Sequence, residues 1–309
     1  MDNVLGVLFQ DIADAIRAKT GGTDTMKPNE FPTQIAAIET GGGGGGVELD
    51  DVYWAYKGYE PYETQYKIPF VFQNQLYFWC NKDSSTSEIY KYVNGELILQ
   101  ATSPFIVRAA ETDIIEVNGK VHLFTVDYKH MSWDGATTFT THNNTPVDWP
   151  APNYACAVGG EIYLRGYSAE ANIIYKWDEI TDTWNAWYTN DVAINVLCGY
   201  DGKIYMNLIY NEGLYALDVN TQSKTFEDVP VLRSERFYII NGNVYQIRQY
   251  NHNSGKLYGG ALYKNGTIVA LIPSGMVTVQ RWVVLNGIVY LTCGEGAPWN
   301  KLLVSTQIP

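Results

Sequence analysis

"AVGGEIYLRGYSAEANIIYKWDEITDTW", residues 157–184, holds in one stretch the grammar that decides the fold. A Gly-Gly pair opens it, a strand-like run through Tyr163 follows, and a polar loop leads to a second run that passes Tyr175 and ends at Asp178 before Trp184. Its opening recurs along the chain. "QNQLYFW", "VNGKVHLF", "VGGEIYLRG", "YDGKIYMN", "INGNVYQI" and "LNGIVYLT" each set a tight turn before a strand that carries an aromatic residue or His at one fixed place. That place is Tyr77, His122, Tyr163, Tyr205, Tyr245 and Tyr290, at successive intervals of 45, 41, 42, 40 and 45 residues. Six copies at this period predict a six-bladed β-propeller, an all-β fold.

Each copy divides into four strands. In the fifth, "RFYII" turns through Asn241-Gly242 into "NVYQIRQY", a longer loop leads to "GALYK", and Asn265-Gly266 turns into "TIVALI". Asn-Gly favours the positive backbone angles of two-residue hairpins, so first and third turns are expected to be mostly tight. The last copy offers only three strands, "RWVVLNG", "IVYLTCG" and "KLLVSTQIP". The unmatched strand "DVYWAYKG", near the start of the repeat region, is expected to supply the fourth and close the ring, removing an open edge.

Composition agrees with a strand-rich body: among 309 residues are 24 Tyr, 9 Trp and 10 Phe. The net charge of −12 argues against a nucleic-acid partner, whose phosphates need clustered Lys and Arg. No apolar run is long enough to cross a bilayer, and "MDNVLGVLFQDIADAI" lacks the basic start of a secretion signal. Neither membrane insertion nor a cleaved leader is expected. Cys80, Cys156, Cys198 and Cys293 are far apart and form no CxxC pair, so they read as free thiols within strands.

Residues 1–40 follow a different pattern. Leu8, Ile12 and Ile16 recur at helical spacing until Gly21-Gly22, and Phe31, Ile35 and Ile38 mark a second short helix. Two such helices are too small for a core of their own, so this head is expected to dock on a partner or to oligomerise. Six glycines within residues 41–47 then act as a flexible tether spanning on the order of 13 Å, and the propeller is assigned residues 48–309.

Two resemblances rest on these residues. Residues 157–184 resemble a kelch repeat through Gly159, Gly160, Tyr163, Tyr175, Asp178 and Trp184; the fourth copy keeps Asp201-Gly202, Tyr205, Tyr215 and Asp218 but has Phe226 in place of the tryptophan. Kelch similarity implies a propeller and no particular activity. "IADAIRAKTGGTDTMKPNEFPTQIAAI", residues 12–38, resembles the N-terminal segment of tail-fibre and other virion structural proteins of bacteriophages and prophages. That resemblance implies attachment to other virion proteins through residues 1–40.

No catalytic constellation stands out. Sialidases share the blade count but need an arginine triad and Asp-box turns, whereas this chain has seven arginines and its "SWDGATTF", residues 132–139, departs from the box. No P-loop or GxSxG elbow is present, and Asp127, Glu170 and Glu295 are not distinguished among 33 acidic residues. The four histidines, 122, 130, 142 and 252, lack metal-ligand spacing such as HExxH; no cofactor or metal is expected, and His122 reads as a packed strand residue.

The loops between second and third strands, and between blades, are the longer ones and share one face. Tyr128, Tyr167, Tyr210, Tyr250 and Trp299, with Arg165, Arg248 and His252, are the candidate ligand residues there. Aromatic faces beside hydrogen-bonding groups suit sugar rings. The expected function is a tail-fibre or receptor-binding protein of a virion, made in a host bacterium, whose propeller binds cell-surface polysaccharide or protein. A capsid-decorating head fibre and a polysaccharide-degrading enzyme using the same face are the alternatives.

Overall fold

The computed structural model describes residues 54–58, 67–83, 85–107, 112–125, 128–146, 154–209, 213–229, 231, 237–250, 259–272, 278–294 and 301–308. The chain divides into two units, Met1–Leu49 and Asp50–Pro309, and all of these residues fall in the second. The expected helices of the head, with Leu8, Ile12, Ile16, Phe31, Ile35 and Ile38, and the expected glycine linker fall outside the described residues.

The second unit is a six-bladed β-propeller. A first strand, β1 (Trp54–Gly58), precedes the blades. Blade one is β2 (Lys67–Phe72), β3 (Gln75–Asn81), β4 (Ser87–Val93) and β5 (Glu96–Ser103). Blade two is β6 (Asp113–Val117), β7 (Lys120–Thr125), β8 (Lys129–Trp133) and β9 (Phe139–Thr141). Blade three comprises β10 (Ala155–Val158), β11 (Glu161–Arg165), β12 (Ile173–Asp178) and β13 (Thr183–Thr189). Blade four comprises β14 (Ile194–Tyr200), β15 (Lys203–Leu208), β16 (Leu214–Asp218) and β17 (Lys224–Glu227). Blade five has β18 (Phe237–Ile240), β19 (Asn243–Tyr250), β20 (Gly259–Lys264) and β21 (Thr267–Ile272), and blade six has β22 (Thr278–Leu285), β23 (Ile288–Gly294) and β24 (Lys301–Gln307).

Every sheet has four strands, and the sixth is completed by β1, which pairs antiparallel with β24 from Trp54↔Ser305 to Gly58↔Lys301. The closure expected from the unmatched strand is thus present. The first turns behave as their residues demand: Asn241 and Gly242, for example, both take positive φ, 49° and 76°. The third turns depart from the expectation in blades two to four, where they are longer and built on aspartates. Asp134, Asp178 and Asp218 each accept backbone N–H bonds within the turn, from Ala136 and Thr138, from Ile180 and Thr181, and from Asn220 and Thr221. These bonds favour the ionised carboxylate and hold all three aspartates below the usual range.

The core is six apolar layers, one at each junction between neighbouring blades. Phe70, Phe72 and Trp79 of blade one meet Leu123 and Trp133 of blade two, for instance, while Leu76 and Phe78 on the opposite face meet Val283 and Leu302 of blade six. The fixed aromatic position of the repeat serves these layers. Tyr77, Tyr163 and Tyr245 are buried in the layer facing the next blade, and Tyr205 and Tyr290 are packed against the corresponding ones. In blade two the same slot holds His122. Alternating side chains on twisted, radially stacked sheets produce this two-sided burial.

Candidate functional site

Where the strands end decides where loops gather. Strands alternate in direction, so the ends of the second strands, at Asn81, Thr125, Arg165, Leu208, Tyr250 and Gly294, and the starts of the third strands lie at one face. On this face Tyr128 is 42% exposed and Tyr167 is 45% exposed. Tyr128 is held at a positive φ of 61°, and its carbonyl accepts the Thr145 N–H at 2.7 Å. Tyr167 leads into a single 3-10 turn, Ser168–Glu170, and its ring centroid lies 6.4 Å from that of Tyr154.

Arg165 lies beneath this surface. It is buried, its guanidinium stacks 3.5 Å from the Tyr154 ring centroid, and Nη1 donates to the Ile194 carbonyl at 2.5 Å. Burial makes its charged form more costly, which lowers its pKa from the ordinary arginine value. Arg165 therefore braces Tyr154 and the junction of blades three and four, and its fit to a ligand would be indirect. Tyr154 is the residue of this patch that the sequence reading missed. Close by, the Tyr175 hydroxyl donates to Glu170 at 2.5 Å, and burial with this bond raises its pKa to about 12. Arg248 and Tyr250 fall on β19 opposite Ala261 and Gly259, without described side chains. Tyr210, His252 and Trp299 lie outside the described residues.

A cavity of about 280 Å³ occupies the axis of the ring and is lined by the first strand of every blade. Its polar groups are engaged in holding the ring. Asp113 accepts the Ala155 N–H at 2.9 Å, Glu116 accepts the Gln73 N–H at 3.1 Å, and the buried Arg281 donates to the Thr112 carbonyl. The carboxylates of this cavity thus do structural hydrogen bonding.

The junction of blades two and three contains a polar cluster. On β7 and β8, His122 is paired with Ser132 and Phe124 with His130, so all four side chains project from one face of the sheet. His142, just after β9, donates its N–H to the His130 carbonyl at 2.9 Å and joins them. One ring nitrogen from each of His122, His130 and His142 lies within 4.8 Å of the other two. His122 Nδ1 and His130 Nε2 are 3.0 Å apart, and His142 Nε2 is 2.8 Å from Ser132 Oγ. Trp177 and Trp184 of blade three and Phe124 close around His130. Burial disfavours the imidazolium and brings His122 down to about 3 and His130 to about 2, with their mutual repulsion adding to it. His142 is lowered as well, by burial, against the pull of Asp182. The three imidazoles are neutral at ordinary pH.

This convergence was not visible as a spacing motif. It requires the blade to bring three strands side by side, which joins histidines that show no metal-ligand spacing along the sequence, while His122 is, as expected, a packed strand residue. No protein-family model matches this chain, and no curated protein matches it, so the fold and these contacts are what bear on its function.

Proposed function

We propose that this chain is a displayed binding protein, a virion component of the tail-fibre or receptor-binding type, whose propeller holds a glycan of the bacterial surface on its long-loop face. The observation that carries the binding part is the exposed pair Tyr128 and Tyr167 on the second-to-third-strand loops of adjacent blades. A half-exposed aromatic ring on a fixed loop presents apolar area with a polar tip, at little entropic cost on binding. Tyr154 and Arg165 beneath Tyr167 make its support rigid. The virion part rests on the resemblance of residues 12–38 to phage attachment segments, with residues 1–40 engaging other virion proteins. Many copies on one particle would turn weak glycan contacts into firm adhesion.

The test is saturable binding of the full chain to bacterial cells and purified wall polysaccharide, with glycan length followed throughout. Binding to intact glycan that Tyr128→Ala and Tyr167→Ala weaken without lowering the melting temperature is the expected result. Shortening of the polysaccharide would instead make the chain an enzyme. Unchanged binding in both variants would place recognition elsewhere.

A further inference from the structure

The geometry points to a transition-metal site between blades two and three, in which His122, His130 and His142 hold a divalent ion of the zinc, copper or nickel kind. Imidazole nitrogen suits these ions. A tetrahedral ion with metal–nitrogen bonds of about 2.0–2.1 Å sets its ligand nitrogens about 3.3 Å apart. His122 Nδ1 and His130 Nε2, 3.0 Å apart, already approach that spacing. The third imidazole is within 4.8 Å, so a small side-chain adjustment completes the set. Ser132 Oγ, 2.8 Å from His142 Nε2, is the oxygen at hand for a fourth position.

The surroundings have the form of an outer shell. Asp182 Oδ1 lies 3.6 Å from His142 Nδ1, so its negative charge favours a proton on Nδ1 while Nε2 faces Ser132 and the cluster. Asp182 is itself fixed, since Trp177 Nε1 donates to it at 3.1 Å and the Asn143 N–H at 2.9 Å. It also brings negative charge from blade three to offset the ion. Lys120, the nearby cation, is paired with Glu179 at 3.4 Å.

Hydrogen bonding within the trio leaves a remainder. His130 is fully buried, and its Nδ1 has no hydrogen-bond partner. The repeat has an inexpensive alternative at the same slot, because the other five copies use tyrosine there. His122 Nδ1 and His130 Nε2 face each other across 3.0 Å, so only one of them can carry a proton there; a metal ion would accept the lone pairs of both, with His130 Nδ1 keeping its proton. There is also a way in: His122 lines a cavity of about 470 Å³ whose wall includes Lys120, Glu161, Asp178 and Glu179.

With all three ligands on blade two and Asp182 on blade three, the ion would fasten the start of the 142–154 connection to both. The experiment uses the untagged full chain, stripped with a chelator, titrated calorimetrically with Zn²⁺ and followed by visible absorption with Co²⁺. Uptake of one ion per chain is expected, with a tetrahedral Co²⁺ spectrum that Zn²⁺ displaces and a melting temperature that rises with Zn²⁺. His122→Gln and His142→Gln should abolish uptake, whereas His252→Gln should leave it unchanged. Asp182→Asn, which removes no ligand, should weaken affinity by about 10–100-fold. No saturable uptake by the wild-type chain, or a Co²⁺ spectrum that survives both ligand substitutions, would overturn the proposal; the wild-type spectrum decides it even where a variant fails to fold.

Discussion

Gly199→Ala puts the packing of the inner ring to a quantitative test. Gly199 lies on β14 opposite Ile204, and Ala157 lies on β10 opposite Ile162. A Cβ built on Gly199 would meet the Ala157 carbonyl oxygen at 2.1 Å, Val158 Cγ2 at 2.8 Å and the Ala157 carbonyl carbon at 2.9 Å. Carbon and oxygen in close contact keep about 3.3 Å, so the two strands must separate by about 1 Å. The obstacle is backbone that is already hydrogen-bonded into blade three, which cannot swing aside like the end of a side chain. Separation opens the layer in which Cys156 and Val158 meet Leu197 and Ile204. Overpacking costs about 1–3 kcal/mol, and a backbone obstacle places this case at the upper end. Replacing glycine recovers about 0.4–1 kcal/mol from the unfolded chain, leaving a net loss of about 2 kcal/mol.

A domain of this size loses roughly 2–4 °C in Tm per kcal/mol, so a melt followed by circular dichroism should show a drop of roughly 4–8 °C. Gly202 is the control, three residues along. It has φ +71° and nothing within 4 Å of a built Cβ, so alanine there meets only backbone strain. That strain is about 1–2 kcal/mol, and the same entropic gain reduces it to about 1 kcal/mol or less. A Gly199→Ala melt within 1 °C or so of wild type, or a smaller drop than Gly202→Ala gives, would refute the close approach of blades three and four.

The repeat tyrosines give an alkaline signature. Burial raises the phenols of Tyr77, Tyr163, Tyr205, Tyr245 and Tyr290 from the ordinary 10.0, Tyr163 to about 12. The unfolded chain would lose those protons first, so their contribution to stability is complete below pH 10 and falls as the pH rises toward 12. Ultraviolet titration should show a lagging phenolate fraction that appears together with unfolding; ionisation of every tyrosine near pH 10 in a folded chain would contradict this packing. Thiol chemistry tests the same layers, because Cys80 and Cys156 are buried, Cys198 is partly exposed and burial pushes the Cys156 thiol well up. Mass mapping after brief exposure to a disulfide reagent should find Cys198 modified before Cys80 and Cys156, and early labelling of Cys156 would count against the layer.

The blade grammar was legible because it depends on local chemistry. Asn-Gly and Asp-Gly turns fix hairpins by backbone angle, and the aromatic position recurs because each copy must cover the next. Ring closure was legible for a different reason: five complete copies and a short sixth leave one strand over. The aspartate-built third turns were harder to see, since Asp134, Asp178 and Asp218 replace glycine conformational freedom with side-chain hydrogen bonds. Arg165 shows the limit for site residues. Its place at the end of β11 marks it as near the long-loop face, but its inward stack on Tyr154 depends on the neighbouring link. The histidine cluster had a readable signal after the strands were assigned. His122 pairs with Ser132, two positions from His130 on the same strand face, so period-two alternation alone places both imidazoles toward blade three.

The strand that closes the ring has a consequence for the order in which the protein can be completed. Synthesis delivers β1 before any blade and β24 after all other strands, yet they are each other's neighbours in the final sheet. Blades one to five can each zip up from contiguous chain as it leaves the ribosome, because every pairing within them is local. Blade six must wait, and through that whole interval β1 is a strand edge without its mate. Where blades form as the chain is synthesised, this seam is the last to be completed, and until then β1 is open to pairing with a neighbouring chain's β24.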